Sequence, residues 1–314
     1  MTDLPTNPKT SSEDILPPSA PPFRGHIEES YKNSRPDWPD PVKPAPGAPN
    51  VIVIMFDDLG FGHSSAYGGA IHMPNMERLA KEGVRYNNFH TTAMCSPTRA
   101  ALLAGRNHHS VGFGAIAELS TGYPGYNAYL PRSAATLPEV LKHSGYSTLA
   151  VGKWHLAPAA HTSAAGPFDR WPLGLGFERF YGFHSGVTDQ WHPMLHCDNH
   201  RIPTPRREGY HLSEDLVDQS ISMLRNQQQV ATGRPFFLYL ALGATHTPLH
   251  APAEYIERYR GKFDQGWDVA REESFARQLA MGIVPPGSKL PPRNPGVRPW
   301  MELSNDERRL AVRL

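Results

Sequence analysis

Four short strings in this chain carry side chains whose types and spacing could do chemistry. The most informative is Cys95-Ser-Pro-Thr-Arg99. Pro97 suits the first turn of a helix that continues through Ala100 to Ala104 and stops at Gly105. Cys95 then sits at a helix N-terminus, where backbone N–H groups and the macrodipole favour an anion. Arg99, one turn in, adds a planar donor for a tetrahedral oxyanion. The ordinary reading of such a cysteine is a thiolate of lowered pKa. A cysteine phosphatase would need a longer Cys-to-Arg spacing than the three residues found here, so that chemistry is excluded.

The second string is Asp57-Asp58, which closes the apolar run Val51 to Phe56. A hydrophobic strand does not tolerate two carboxylates at its end unless something cationic or protic satisfies them. Oxygen ligands of this kind suit Ca²⁺ or Mg²⁺ better than a soft metal, and the alternative is a polar turn or helix cap. The third is Val-Gly-Lys153-Trp-His155, whose Lys and His stand two residues apart and so share one face of an extended chain. The fourth is His246, directly after the apolar run Phe236 to Leu242. With 16 histidines in the chain, only placement at a strand end separates these two from packing or surface imidazoles. Cys197, in His-Cys-Asp-Asn-His, has no second Cys beside it and no tetrahedral-site spacing, and is read as structural.

Strand ends matter because open α/β sheets bind ligands beyond the carboxyl ends of their strands. From Asn50 onward short apolar runs alternate with helical patterns, the signature of parallel strands joined by crossover helices. The expected elements are a strand Val51–Phe56, a helix Asn75–Glu82 capped by Asn75, and a strand Val84–Phe89. A helix opening at Thr136-Leu-Pro-Glu139 and ending at Gly145 leads into a strand Ser147–Val151. A helix Ser213–Val230 capped by Ser213 leads into the strand Phe236–Leu242, and Pro285–Pro299 reads as an irregular loop. Twelve of the 32 prolines precede residue 50, which sets residues 1–46 apart as an extended, Pro-rich arm before a domain over residues 47–314.

Composition bounds the partners. Lys+Arg 31 against Asp+Glu 30 leaves a net charge of +1, which removes the broad cationic field that nucleic-acid binding needs. No apolar run approaches the ~20 residues of a bilayer span, and the opening residues lack the basic and apolar regions of a secretory signal. Neither nucleic acid nor membrane is expected as a partner, and cytoplasmic residence is the expectation. Two cysteines about a hundred residues apart indicate no disulfide framework.

Cys95-Ser-Pro-Thr-Arg-Ala-Ala-Leu-Leu-Ala-Gly-Arg106 closely resembles the signature of the type I sulfatases, in their bacterial arylsulfatase branch. Asn50–Gly60 is similar to that family's first strand and metal dyad, Gly152–His155 to its Gly-Lys-Trp-His segment, and Pro235–Pro252 to its strand and histidine loop. Together they extend the resemblance over residues 47–314. It implies an alkaline-phosphatase-like α/β fold, a mixed, mostly parallel sheet flanked by helices. It implies oxidation of Cys95 to formylglycine by a formylglycine-generating maturation enzyme, and hydrolysis of sulfate esters, aryl sulfates by branch. The hydrated aldehyde would offer a nucleophilic oxygen activated by a divalent cation, and would later expel sulfate.

On this resemblance Asp57, Asp58 and the modified Cys95 hold Ca²⁺, or Mg²⁺, and Arg99 steadies the modified residue. His155 handles a proton, and Lys153 and His246 bind the sulfate and assist the leaving group. Family members carry a further metal-binding Asp-Asn pair and a sulfate-binding lysine beyond the histidine loop, and this sequence reaches Leu314 first. Asp198-Asn199 precedes that loop and is not assigned the role. The expectation is therefore an N-terminal portion of a sulfatase, truncated before the C-terminal subdomain and with little activity alone. The alternatives are a phosphonate monoester or phosphodiester hydrolase with the same layout, or an inactive remnant.

Overall fold

The computed structural model of the chain describes residues 22–313 and divides into two compact units, one up to Val42 and one from Lys43 onward. The expected Pro-rich arm lies partly outside the described residues. Its described part is not simply extended: His26 and Arg35 exchange backbone hydrogen bonds of 2.9 and 2.8 Å and close a small turn.

The second unit is built on a six-stranded sheet. Its strands are β1 (Val51–Met55), β2 (Ser147–Lys153), β3 (Arg179–Phe183), β4 (Leu195–Cys197), β5 (His200–Ile202) and β6 (Phe236–Ala241). The spatial order is β1-β6-β2-β3-β4-β5; the first four in that order run parallel, while β3, β4 and β5 form an antiparallel meander. Helices α1 (Pro74–Glu82), α2 (Cys95–Ala104) and α3 (Leu137–His143) all lie between β1 and β2 in sequence. Helix α4 (Leu212–Val230) crosses from β5 to β6, and α5 (Ala253–Arg258), α6 (Gly266–Ala280) and α7 (Asn305–Ala311) follow. Among the described residues no helix is long and apolar enough to cross a membrane.

Strand alternation sorts the core into two layers. Phe237, Tyr239 and Ala241 of β6 join Ala100 and Leu103 of α2 with Trp154, Phe177 and Phe180 on one face of the sheet. Phe236, Leu238 and Leu240 join Leu149, Val151, Leu212 and Leu216 on the other, under α4. Burying a Leu or Phe in this way contributes about 1.5–3 kcal/mol per side chain. The edge strand β1 is covered on one face only, since Val51, Val53 and Met55 pack inward while Ile52 and Ile54 remain half exposed. Gly152 is required where β2 passes β6. Its φ is +107°, and a Cβ there would lie 1.9 Å from the Ala241 carbonyl oxygen.

Several expected boundaries shift. Residues 84–89 form no strand; Val84, Tyr86 and Phe89 are exposed, and no neighbouring strand offers them a ladder or a buried face. β-propensity alone does not form a strand without such a surface. Pro74, not Asn75, opens α1, with Met73 as the cap residue. Helix α4 starts one residue before Ser213 because the His211 side chain accepts the Ser213 N–H. Thr136 caps α3 as expected and also closes a capping box with Glu139, and residues 285–299 form the expected irregular loop.

Candidate active site

Parallel pairing aligns the ends of β1, β6 and β2: Met55 lies beside Ala241, and Ala241 beside Gly152. The turns beyond β1 and β6 are joined by backbone bonds, Asp57 N–H to Ala244 O at 3.0 Å and Thr245 N–H to Asp57 O at 2.6 Å. Because β6 lies between the two outer strands, Asp57, Lys153 and the His246 loop meet at one edge.

Asp57 is buried, and its two carboxylate oxygens accept from different cations. Lys153 Nζ donates to Oδ2 at 2.5 Å and Arg99 Nη2 to Oδ1 at 3.2 Å. Arg99 is 1% exposed, and its Nη1 also donates to the Lys153 carbonyl at 2.9 Å and to the Tyr239 hydroxyl at 3.3 Å. It is thus turned toward Asp57 and the strand ends, not presented to an open site as an oxyanion donor, because both its terminal nitrogens are satisfied inside the fold. Two buried cations against one carboxylate leave this pocket with an excess positive charge, a setting that favours an anion.

Cys95 opens α2, whose C-terminus is closed by Gly105 in the left-handed conformation at φ +61°. Its Sγ lies 3.1 Å from Nδ1 of His155. On the opposite side of the ring, His155 Nε2 donates to Glu118 Oε2 at 2.6 Å. Burial raises the Cys95 pKa, but the hydrogen bond to His155 and the nearby positive charges outweigh it, so the thiol is held below its ordinary value. Burial lowers the pKa of His155, and its bonds to Cys95 and Glu118 more than reverse this. The hydrogen bond to His155 brings Glu118 down to about 2. His155 reaches Cys95 from the left-handed region at φ +55°, so it is not the shared face of an extended chain that places it there.

Asp58 and His246 occupy the open side. Asp58 has φ +59° and a side chain 60% exposed, with His246 Nε2 3.7 Å from its Oδ2. The structure therefore gathers the expected residues in two linked groups, Asp57–Lys153–Arg99 with Cys95–His155, and Asp58–His246. Sequence reasoning missed Glu118 and Tyr239. Glu118 lies in a 3-10 turn (Ala117–Leu119) with no motif around it; its signal is that it is the sole carboxylate between Glu82 and Glu139.

As a cation site the described residues are incomplete. Asp57 is already neutralised by Lys153 and Arg99, and among the described residues no group of three or more His, Cys, Asp or Glu is placed to hold a metal. Ca²⁺ takes 6–8 oxygens, so Asp57 and Asp58 by themselves do not fit it. Cys95 and Cys197 are both free thiols, and Asp198 accepts from Arg179 Nε and the Phe180 N–H at the β4–β5 turn, away from the expected metal ligands. Of the aromatics from Phe168 to Trp191, Trp171, Phe177, Phe180, Tyr181 and Phe183 are buried in the core, while Phe168 and Trp191 are half-buried.

A mostly parallel sheet with a helix N-terminus, a lysine and a histidine gathered at its strand ends is a layout suited to binding an anion. The chain belongs to the sulfatase family: residues 49–305 match the family model Sulfatase. It is 36% identical over 280 residues to an uncharacterised sulfatase of Schizosaccharomyces pombe, covering 84% of this chain and 50% of that one. It is 32% identical over 257 residues to the arylsulfatase of Klebsiella aerogenes, covering 77% and 53%. The fold matches the crystal structure of Ps i-CgsB with a TM-score of 0.59 at 24% identity, covering 74% of this chain and 54% of that one. The architecture shared with that structure is an α/β fold, a mixed, mostly parallel sheet flanked by helices, and the chain spans about half the length of the curated relatives it matches.

Proposed function

We propose that this chain carries the nucleophile-bearing part of a sulfuric ester hydrolase that cleaves sulfate esters to an alcohol or phenol and sulfate. The observation that carries the reading is the placement of Cys95 Sγ 3.1 Å from His155 at the head of α2, beside the Lys153–Asp57–Arg99 cluster, in a chain of the sulfatase family. Preference for aryl sulfates rests on the sequence signature and on the name of the 32% identical Klebsiella aerogenes relative.

Cys95 is proposed to be oxidised to formylglycine by a maturation enzyme. The residues around it fit that group, since an oxygen on its Cβ in place of Sγ would face the His155 imidazole. The aldehyde supplies, as its hydrate, an oxygen nucleophile in place of sulfur. His155 holds or takes the proton at residue 95, and Glu118 stabilises the charged ring as it does so. Arg99, turned inward, steadies residue 95, Lys153 neutralises charge on a tetrahedral anion, and His246, at the open side, binds sulfate and donates to the leaving oxygen. Asp57 and Asp58 are proposed to contribute two ligands to a Ca²⁺ or Mg²⁺ site, which these two alone do not complete.

Mass spectrometry of the Cys95 peptide from chain co-expressed with a formylglycine-generating enzyme should show the aldehyde, and an unmodified thiol would overturn the modification. A protein containing this chain, once matured, should turn over a chromogenic aryl sulfate faster than the matched phosphonate ester, with Cys95→Ala abolishing activity. The reverse ranking would move the assignment to phosphonate or phosphodiester esters.

A further inference from the structure

His155 is held from more sides than packing requires. The Ser96 hydroxyl, fully buried in the first turn of α2, accepts the Ala117 N–H at 3.2 Å and so anchors the 3-10 turn bearing Glu118. Glu118 Oε1 accepts the Gly186 N–H at 3.3 Å, which fixes the carboxylate beyond β3. Its other oxygen, Oε2, then accepts from His155 Nε2 at 2.6 Å. Gly186 also closes on the ring itself: a Cβ there would lie 2.8 Å from His155 Cε1. The His155 backbone N–H bonds to His184 O at 3.1 Å, which ties the residue to the end of β3.

An imidazole can present either nitrogen, and a carboxylate accepts only, so a carboxylate on Nε2 requires the proton there and leaves Nδ1 to serve the facing group. We propose that Glu118 is a positioning residue that fixes the ring plane and proton placement of His155 so that Nδ1 is aimed at residue 95. This rests on the reading that residue 95 is the reacting centre. Ser96 belongs to the same device, because its hydroxyl fixes the turn on the very helix that carries Cys95. Carboxylates that accept from the far nitrogen of a histidine act in this way at many sites, by holding one tautomer.

The test uses the unmodified full chain and needs no sulfate turnover. Long-range ¹H–¹⁵N spectra of wild type should place a proton on His155 Nε2; an Nε2 without a proton overturns the proposal outright. Alkylation of Cys95 by iodoacetamide, read by mass spectrometry against Cys197 in the same molecule, should slow about tenfold in Glu118→Leu. Glu118→Gln, whose amide oxygen can still accept from Nε2, should stay near wild type, and Ser96→Ala should fall between. Unchanged Cys95-to-Cys197 ratios in both Glu118→Leu and Ser96→Ala, with His155 spectra also unchanged, overturn it. If Glu118→Leu does not fold, the wild-type spectrum and Ser96→Ala decide the matter. Failure of Cys95 to become formylglycine would overturn the proposed function and leave this result standing, so the two readings fail separately.

Discussion

Asp57 and Asp58 are adjacent in sequence and opposite in circumstance. Asp57 is 4% exposed and shared between two buried cations, while Asp58 has a 60% exposed side chain and a single histidine partner at 3.7 Å. Asp57 is held by backbone bonds to the β6 loop and faces inward, whereas Asp58 takes a left-handed conformation that turns it outward. The same charge is therefore held between buried cations at one position and open to solvent at the next. The difference teaches that two adjacent acids offered to one site can be prepared for it differently. One is fixed in place by the fold, and the other is free to move toward what enters.

The sharpest way to break this contrast is Asp57→Asn, which leaves Lys153 and Arg99 buried without their counter-charge. Denaturant unfolding should show a loss of about 3–5 kcal/mol. Lys153→Met should cost less, about 2 kcal/mol, because Arg99 still pairs with Asp57 and one charge-assisted hydrogen bond is lost. Equal losses from the two variants would show that Arg99 does not share the carboxylate.

Glu118 gives the contrast a pH dimension. Its folded pKa, about 2, lies below its ordinary 4.5 because of the bond to His155, so its stabilisation is present above pH 4.5 and is lost as pH falls through about 2. His155 is shifted upward from 6.5, so its contribution is present below that value and is lost as pH rises through its higher folded pKa. The melting-temperature gap between wild type and Glu118→Gln should therefore be widest from pH 4.5 to 6.5 and close toward pH 2. A gap that does not narrow on acidification would contradict the Glu118–His155 pairing.

The smallest effect is expected at Asp58. Asp58→Asn should change stability by no more than about 0.5 kcal/mol, since an exposed pair with a histidine contributes little. If Asp58 is a metal ligand, calorimetry with Ca²⁺ should nevertheless show weaker binding by the variant. No change in either quantity would reduce Asp58 to a turn residue.

Local signals in the chain were sufficient for much of this. The Cys95 helix and its stop at Gly105, the capping box at Thr136, and the strands opening at Val51, Ser147 and Phe236 follow from propensities and caps that act within a few residues. So does the nomination of Asp57, Asp58, Lys153, His155 and His246, because each stands at or within a few residues of the end of an apolar run. Tertiary structure decided what those residues face. The insertion of β6 between β1 and β2 brings Lys153 to Asp57 across 96 residues and draws the His246 loop to Asp58. It turned Arg99 inward, left residues 84–89 without a strand partner, and recruited Glu118 to His155 from a loop with no motif. The physical reason is range. Helix caps, turns and alternation are read from neighbours in sequence, whereas ion pairs and hydrogen-bond relays form only once strand order has set which ends lie side by side.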